Sequence, residues 1–319
     1  MRLAKAIGLR LVFGILSLVF ISFVVFIADE VTPGDAATRK AGEKAPVEEV
    51  NRLREQMGLN RPWPERYLEF IKNASRLEFG NSLFRGERPV SEILRDNTPM
   101  TIKLASAAML AAILVGVTLG VFAAIYQNRW PDRLILSIST FGVTVPNFVL
   151  APLLVYFFVL NRDLLPAYYD SQQLREGVPE YMFLILPVIC LAARPMAMLT
   201  RLTRASMVET MQQEFIRTAI AKGVPTPRLI VKHGLRNAIL PVVTAIGTSF
   251  GFLLTGSFVV EVFFRLPGIG REGIQAISER NTPVLQAVIL LTGAMFILIN
   301  LAVDILLPLL DPRIREAQV

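Results

Sequence analysis

Apolar residues along this chain gather into six long runs, separated by loops that hold nearly all of the charge. The runs fall at about residues 9–28, 101–126, 134–160, 181–199, 235–264 and 284–310. Each reaches the roughly 20 residues that a helix needs to cross a hydrocarbon core of about 30 Å. The pattern predicts an all-α integral membrane protein with six transmembrane helices. Between the first two runs, residues 29–99 form the one large polar segment. It carries helical patterns at 47–57 and 64–74, and turn signals at Phe79-Gly80-Asn81 and Arg85-Gly86-Glu87.

The loop between the fourth and fifth runs, residues 209–241, is basic and helix-forming. Ser206 followed by Glu209 reads as a capping box, and Gly223 followed by Pro225 as a helix stop. Thr226 and Pro227 then supply an N-cap and a first helical residue for a second short helix. A structured helix–turn–helix is longer than a simple connection needs, which points to a docking surface. The alternative is an amphipathic helix lying on lipid. Pro146, Pro152, Pro187, Pro195 and Pro241 are expected to kink or interrupt their helices. Gly116-x-x-x-Gly120 and Gly247-x-x-x-Gly251 each offer a small-residue face, for a subunit interface or for packing within the chain.

Composition agrees with the runs. Of the 319 residues, 53% are hydrophobic and 18% charged, too apolar for an ordinary soluble domain. The formal net charge of +7 could suit nucleic acid, but aromatic residues are not interleaved with the basic ones as base stacking would require, so no nucleic-acid partner is expected. Positive-inside bias explains the charge instead. Arg2, Lys5 and Arg10, then Arg129 and Arg133, then Arg201, Arg204, Arg217, Lys222, Arg228, Lys232 and Arg236, then Arg313 and Arg315 assign one side to the cytoplasm. Both termini are expected there, in a bacterial cytoplasmic (inner) membrane, with the 29–100 segment outside. The first run resembles a signal peptide but ends at Asp29-Glu30 without a small-residue cleavage site, so a retained anchor is expected. Cys190 is the one cysteine, which excludes an internal disulfide and a cysteine zinc site.

Candidate chemistry is sparse. No G-x-x-x-x-G-K-[ST] pattern occurs, so the chain lacks a phosphate cradle for ATP, and no cofactor or metal is expected. His233 is the single histidine and is read as a structural hydrogen-bonding group. Charged groups within spans are functional candidates by default. An arginine at the centre of a span costs about 2.5–3.5 kcal/mol, while each Leu, Ile, Phe or Val returns about 0.3–0.6. Arg194 can therefore be offset by its apolar neighbours, either facing a path or anchoring its helix. Asp304, four residues after Asn300, is expected to pair with an arginine of the fourth-to-fifth loop or of the tail. Glu261 either lines an outer gate or pairs with Arg265, and Asn147 beside Pro146 is a candidate path-lining amide.

The loop residues carry a resemblance. Phe215-Ile-Arg-Thr-Ala-Ile-Ala-Lys-Gly223 followed by His233-Gly-Leu-Arg-Asn-Ala-Ile-Leu-Pro241 resembles the cytoplasmic motif of binding-protein-dependent ABC importer permeases, in the form used by the dipeptide, oligopeptide and nickel permease family. Met57-Gly-Leu-Asn-Arg-Pro62, Pro89-Val-Ser-Glu-Ile-Leu94, Val260-Glu-Val-Phe-Phe-Arg-Leu-Pro-Gly-Ile-Gly270, Asn300-Leu-Ala-Val-Asp304 and Asp311-Pro-Arg-Ile-Arg315 extend it over essentially the whole chain. Arg217-Thr218-Ala219 replaces the general Glu-Ala-Ala pattern, as is typical of this subfamily, and Ile220 stands where it often has arginine.

The resemblance implies a type I ABC importer (MetI-like) permease fold with a large extracytoplasmic insertion after the first helix. The implied domains are an anchor (1–28), an extracytoplasmic domain (29–100), a five-helix core (101–310) containing the coupling loop (201–236), and a tail (311–319). The implied partners are a second homologous permease, two cytoplasmic ABC ATPases, an extracytoplasmic solute-binding protein and the lipid bilayer. Glu214, Phe215, Arg217, Thr218, Ala219, Ala221, Lys222, Gly223 and His233 would form the ATPase-coupling site, with small Ala219 and Ala221 letting the helix enter a groove. Asn147, Arg194, Glu261 and Asp304 are the path or gate candidates. The implied activity is ATP-driven import of peptides or related small solutes, with the chain itself no enzyme. A proton-coupled secondary transporter using Asp304 or Glu261 is the alternative. An intramembrane enzyme lacks a clustered acid pair or a serine beside a base, and a scaffold protein would show the docking loop without solute flux.

Overall fold

The computed structural model describes residues 2–32, 34–42, 44–84 and 86–310, the side chains of 2–7, 304 and 306–310 excepted. Arg85 and the 311–315 signature thus lie outside the described residues, as does the side chain of Asp304. Among the described residues the chain is all-helical, with one isolated antiparallel bridge between Asn81 and Pro89. Five helical stretches are long and apolar enough to span a membrane: Gly8–Val31, Val90–Ile125, Glu180–Met211, Thr226–Gly256 and Thr282–Val303. A bent pair, Trp130–Thr144 with Asn147–Leu160, makes up to six.

The chain divides into two compact units, residues 2–101 with 266–298 and residues 102–265 with 299–310. In the first, the amphipathic helix α4 (Trp63–Ala74) packs on α1 (Arg2–Val31). Tyr67 and Phe70 stack with Phe26, and Trp63 and Tyr67 with Phe23. Ser22 and Tyr67 join their hydroxyls at 3.1 Å, and Arg66 pairs with Glu30. The short α2 (Ala36–Ala41) is capped by Asp35, which also takes Arg54 from α3 (Val47–Gln56) at 2.6 Å. Burial pushes the Asp35 carboxyl up, but the Arg54 and Thr38 hydrogen bonds outweigh it and hold it at about 2. Further along, Asn281 donates to Ser82 Oγ at 2.6 Å and accepts from the Leu83 amide at 3.2 Å.

In the second unit, α5 (Val90–Ile125, whose first turns belong to the first unit), α6 (Trp130–Thr144) and α9 (Glu180–Met211) meet through glycines. A Cβ on Gly116 would lie 2.8 Å from Met196 O, on Gly120 2.7 Å from Thr200 O, and on Gly142 3.0 Å from Ala193 O. The Gly116–Gly120 face therefore packs within the chain and is not free for a subunit interface. Gly247 likewise faces Val303.

One expectation is met and three are corrected. The third run is interrupted at Pro146, as expected, into two helices, α6 and α7 (Asn147–Val155, extended by a wider turn to Leu160), bent by 108°. Val145 is extended at ψ 118°, the conformation favoured for a residue before proline, and Pro146 ends the helix. Pro187, Pro195 and Pro241, by contrast, sit inside continuous helices. The capping box at Ser206 and Glu209 is absent, because α9 runs through both residues to Met211, with Thr203 and Met207 buried along it. The second short helix is also not separate. Helix α11 (Thr226–Arg228) continues through a π-type stretch, Leu229–Leu235, into α12 (Arg236–Gly256), and Thr226 is its first residue rather than its cap. The fifth run then breaks at Ser257 before α13 (Phe258–Phe263).

Candidate functional site: a helical handle and a membrane cavity

Helix α10 (Glu214–Ala221) has eight residues, too few to hold a helix in water unaided. Two devices hold it here. Ile216 and Ala219 point inward onto Leu229, with Met211 and Val224 closing the cluster. Burying one Ile and one Leu contributes about 1.5–3 kcal/mol each. The second device is the cap. Gly223 takes φ +75°, its amide donates to Ile220 O at 2.9 Å, and the Val224 amide to Ala219 O at 3.2 Å. These are the two bonds of a Schellman motif, with Val224 making its hydrophobic contact. The glycine stop read from the sequence is thus in place.

The opposite face is open. Glu214, Arg217, Thr218, Ala221 and Lys222 are exposed, with Glu214 and Arg217 paired at 3.0 Å. Phe215 is 43% exposed and Ile220 57%, flanking the buried stripe on either side. Ala219, expected on the entering face, belongs instead to the handle's own core, and Ala221 alone supplies the small outer residue. His233 lies in the π-type stretch, where its carbonyl accepts from Asn237 Nδ2 at 2.7 Å. The adjoining Gly234 packs against Met211 Sδ and Met207 Cε.

The path candidates separate. Asn147 and Arg194 line one cavity of about 470 Å³ between α7, α9 and α12, together with Thr248, Ser249 and Thr255. Glu261 is not among its lining residues. It is fully buried on α13 and accepts from Ser257 Oγ at 2.7 Å. Arg265 stacks over the Tyr168 ring at 4.9 Å. Of Asp304, the backbone lies in α15 (Thr282–Leu310).

One pair escaped the sequence reading. Asp132, 2% exposed in the first turn of α6, accepts both Arg204 Nε at 2.9 Å and Nη2 at 2.7 Å, and the Asn128 amide at 2.8 Å. An acidic residue after Trp130-Pro131 is a helix-start signature that the sequence offers; its partner 72 residues away is not legible.

Together these features define a bundle of helices long and apolar enough to span a membrane, with a short capped helix between two of them and no G-x-x-x-x-G-K-[ST] cradle in the sequence. A family described as "binding-protein-dependent transport system inner membrane component" matches residues 116–316, and its N-terminal companion matches residues 4–105; the chain belongs to this family. It is 39% identical over 299 residues to the glutathione transport system permease protein GsiC of Escherichia coli (strain K12), covering 94% of this chain and 95% of that one. The GsiC of Shigella dysenteriae serotype 1 (strain Sd197) gives the same figures. A structure of the MetNI methionine ABC transporter in an inward-facing conformation aligns at TM-score 0.54 and 15% identity, over 69% of this chain and 96% of that one, a likeness of fold. The protein is a multi-pass inner-membrane permease subunit of an ABC importer. It works with a solute-binding protein and with separate ATPase subunits that hydrolyse the ATP.

Proposed function

We infer that this permease imports small peptides or peptide-like solutes of the glutathione class, and that α10 is the handle through which the ATPases drive it. The observation that carries the second half is the exposure of Phe215 and Ile220 on a helix held by its own cap and core. Exposed apolar groups on a rigid, charged element suit a protein groove better than water. Arg217 and Lys222 would meet acidic groups on the ATPase, and Glu214, Thr218 and Ala221 would face the groove floor. Gly223 and His233 act by holding the handle's turn and its continuation into α12.

In this reading the chain pairs with a second, similar permease, and one ATPase grips each handle. ATPase closure then rocks the helices as rigid bodies to switch the accessible side. The lysine and arginine distribution supports both termini and the handle being cytoplasmic. Residues 29–100 and the turn at Pro267 lie outside and receive the loaded binding protein.

The test is a Phe215→Asp/Ile220→Asp double variant of the full transporter. It should retain the permease pair but lose co-purification of the ATPases and peptide uptake into proteoliposomes. Uptake and co-purification at wild-type level would overturn the coupling role. Gly223→Ala, which strains a left-handed position by about 1 kcal/mol, should weaken coupling only in part.

A further inference from the structure

Arg194 is exposed, midway along α9, and makes no hydrogen bond or ion pair with any described residue. The amide of Asn147, on the same cavity, is also unpaired among the described residues. A guanidinium within an apolar span that lines a cavity, rather than anchoring its helix at an end, is a candidate to meet an anion there. The rest of the lining narrows its complement. Thr248 Oγ1 already donates to Thr244 O at 3.1 Å, and Thr255 Oγ1 to Gly251 O at 3.4 Å and Phe252 O at 3.2 Å. A hydroxyl has one hydrogen to give, so these oxygens have only lone pairs to offer the cavity. The wall thus presents one cation, the two threonine acceptors, the Ser249 hydroxyl, which reaches Met198 Sδ only at 4.0 Å, and one amide that can serve as donor or acceptor.

Resting on the import reading above, we propose that this cavity is a cargo subsite in which Arg194 holds a carboxylate while Thr248 and Thr255 accept from cargo N–H groups. A carboxylate matches the guanidinium fork with two parallel bonds. Amide and ammonium hydrogens match the acceptor-only hydroxyls, and Asn147 bridges either kind of group. The class selected is a small solute carrying a free carboxylate and N–H donors, which a short peptide with an unblocked C-terminus satisfies. The Arg194 side chain is a binding group and takes no part in the handle.

The test uses trialanine and trialanine amide on the intact transporter. Uptake of trialanine into proteoliposomes checks the import reading by itself. Equilibrium dialysis of both labelled peptides against the solubilised complex, without binding protein, checks the subsite. Wild type should bind trialanine about tenfold tighter than the amide, as expected for losing a charge-assisted bond. Arg194→Gln should abolish that preference with amide binding unchanged, and Arg194→Lys should keep part of it. If trialanine is not imported, the peptide reading falls, and this inference with it. If it is imported but wild type shows no preference, or Arg194→Gln retains it, the inference alone fails. Loss of complex assembly in both Arg194 variants would overturn it too, marking the arginine as a pair for another subunit.

Discussion

Arg194 and Arg204 sit ten residues apart on one helix (194 to 204) and live under opposite rules. Arg204 gives two parallel bonds to a carboxylate that is 2% exposed, so the pair ties the start of α6 to the far end of α9. Arg194 is held by no described residue and faces a cavity. Residue type and helix do not separate them. A carboxylate within reach does, and it turns a cation into structure; without one, the cation stays available to what enters the cavity.

The largest effect should come from breaking the tied arginine. Arg204→Ala leaves Asp132 buried and unpaired, and should destabilise the complex by about 3 kcal/mol in thermal unfolding. Replacing both partners with well-packed apolar residues should cost less than either single change. Next, Gly120→Val would drive a side chain against Thr200 O and Thr203 Cβ, the former a backbone atom that cannot swing away. A loss of about 1–3 kcal/mol is expected from such overpacking, read as a lower melting temperature. Arg194→Leu should change stability by less than about 1 kcal/mol, since no described partner is lost. A drop as large as that of Arg204→Ala would erase the distinction.

The smallest effect concerns an intermediate case, the half-exposed Asp35–Arg54 pair. Its carboxyl is lowered from 3.8 to about 2, so the pair's stabilisation is full above the ordinary carboxylate range and disappears as pH falls through about 2. Limited proteolysis of α2 and α3 should accelerate only in that acid window. Carboxyl titration by NMR in Arg54→Ala should return the midpoint towards 3.8.

Hydropathy made the spans legible because burying 20 apolar residues in lipid dominates any local signal. Residues 47–56 and 63–74 were equally legible, through helical periodicity. Gly223 was legible too, since only a residue tolerant of positive φ closes a helix so tightly. Local signals failed where packing overrode them. Ser206 and Glu209 spell a helix start, yet α9 had already been running since Glu180. The five prolines carry the same chemistry, but only Pro146 follows a residue that adopts the extended state and so ends its helix. The cavity was half legible: Asn147 and Arg194 were candidates one by one, but the helix break that brings them to the same wall requires three dimensions.

At Gly116, Gly120 and Gly142, α5 and α6 come so near α9 that its carbonyl oxygens and the Cβ atoms of Leu199, Thr203 and Ala197 fill the space a side chain would need. Interiors packed so closely barely compress. Any larger residue at these three positions would therefore have to prise α5 or α6 off α9, since no slack is left along the seam.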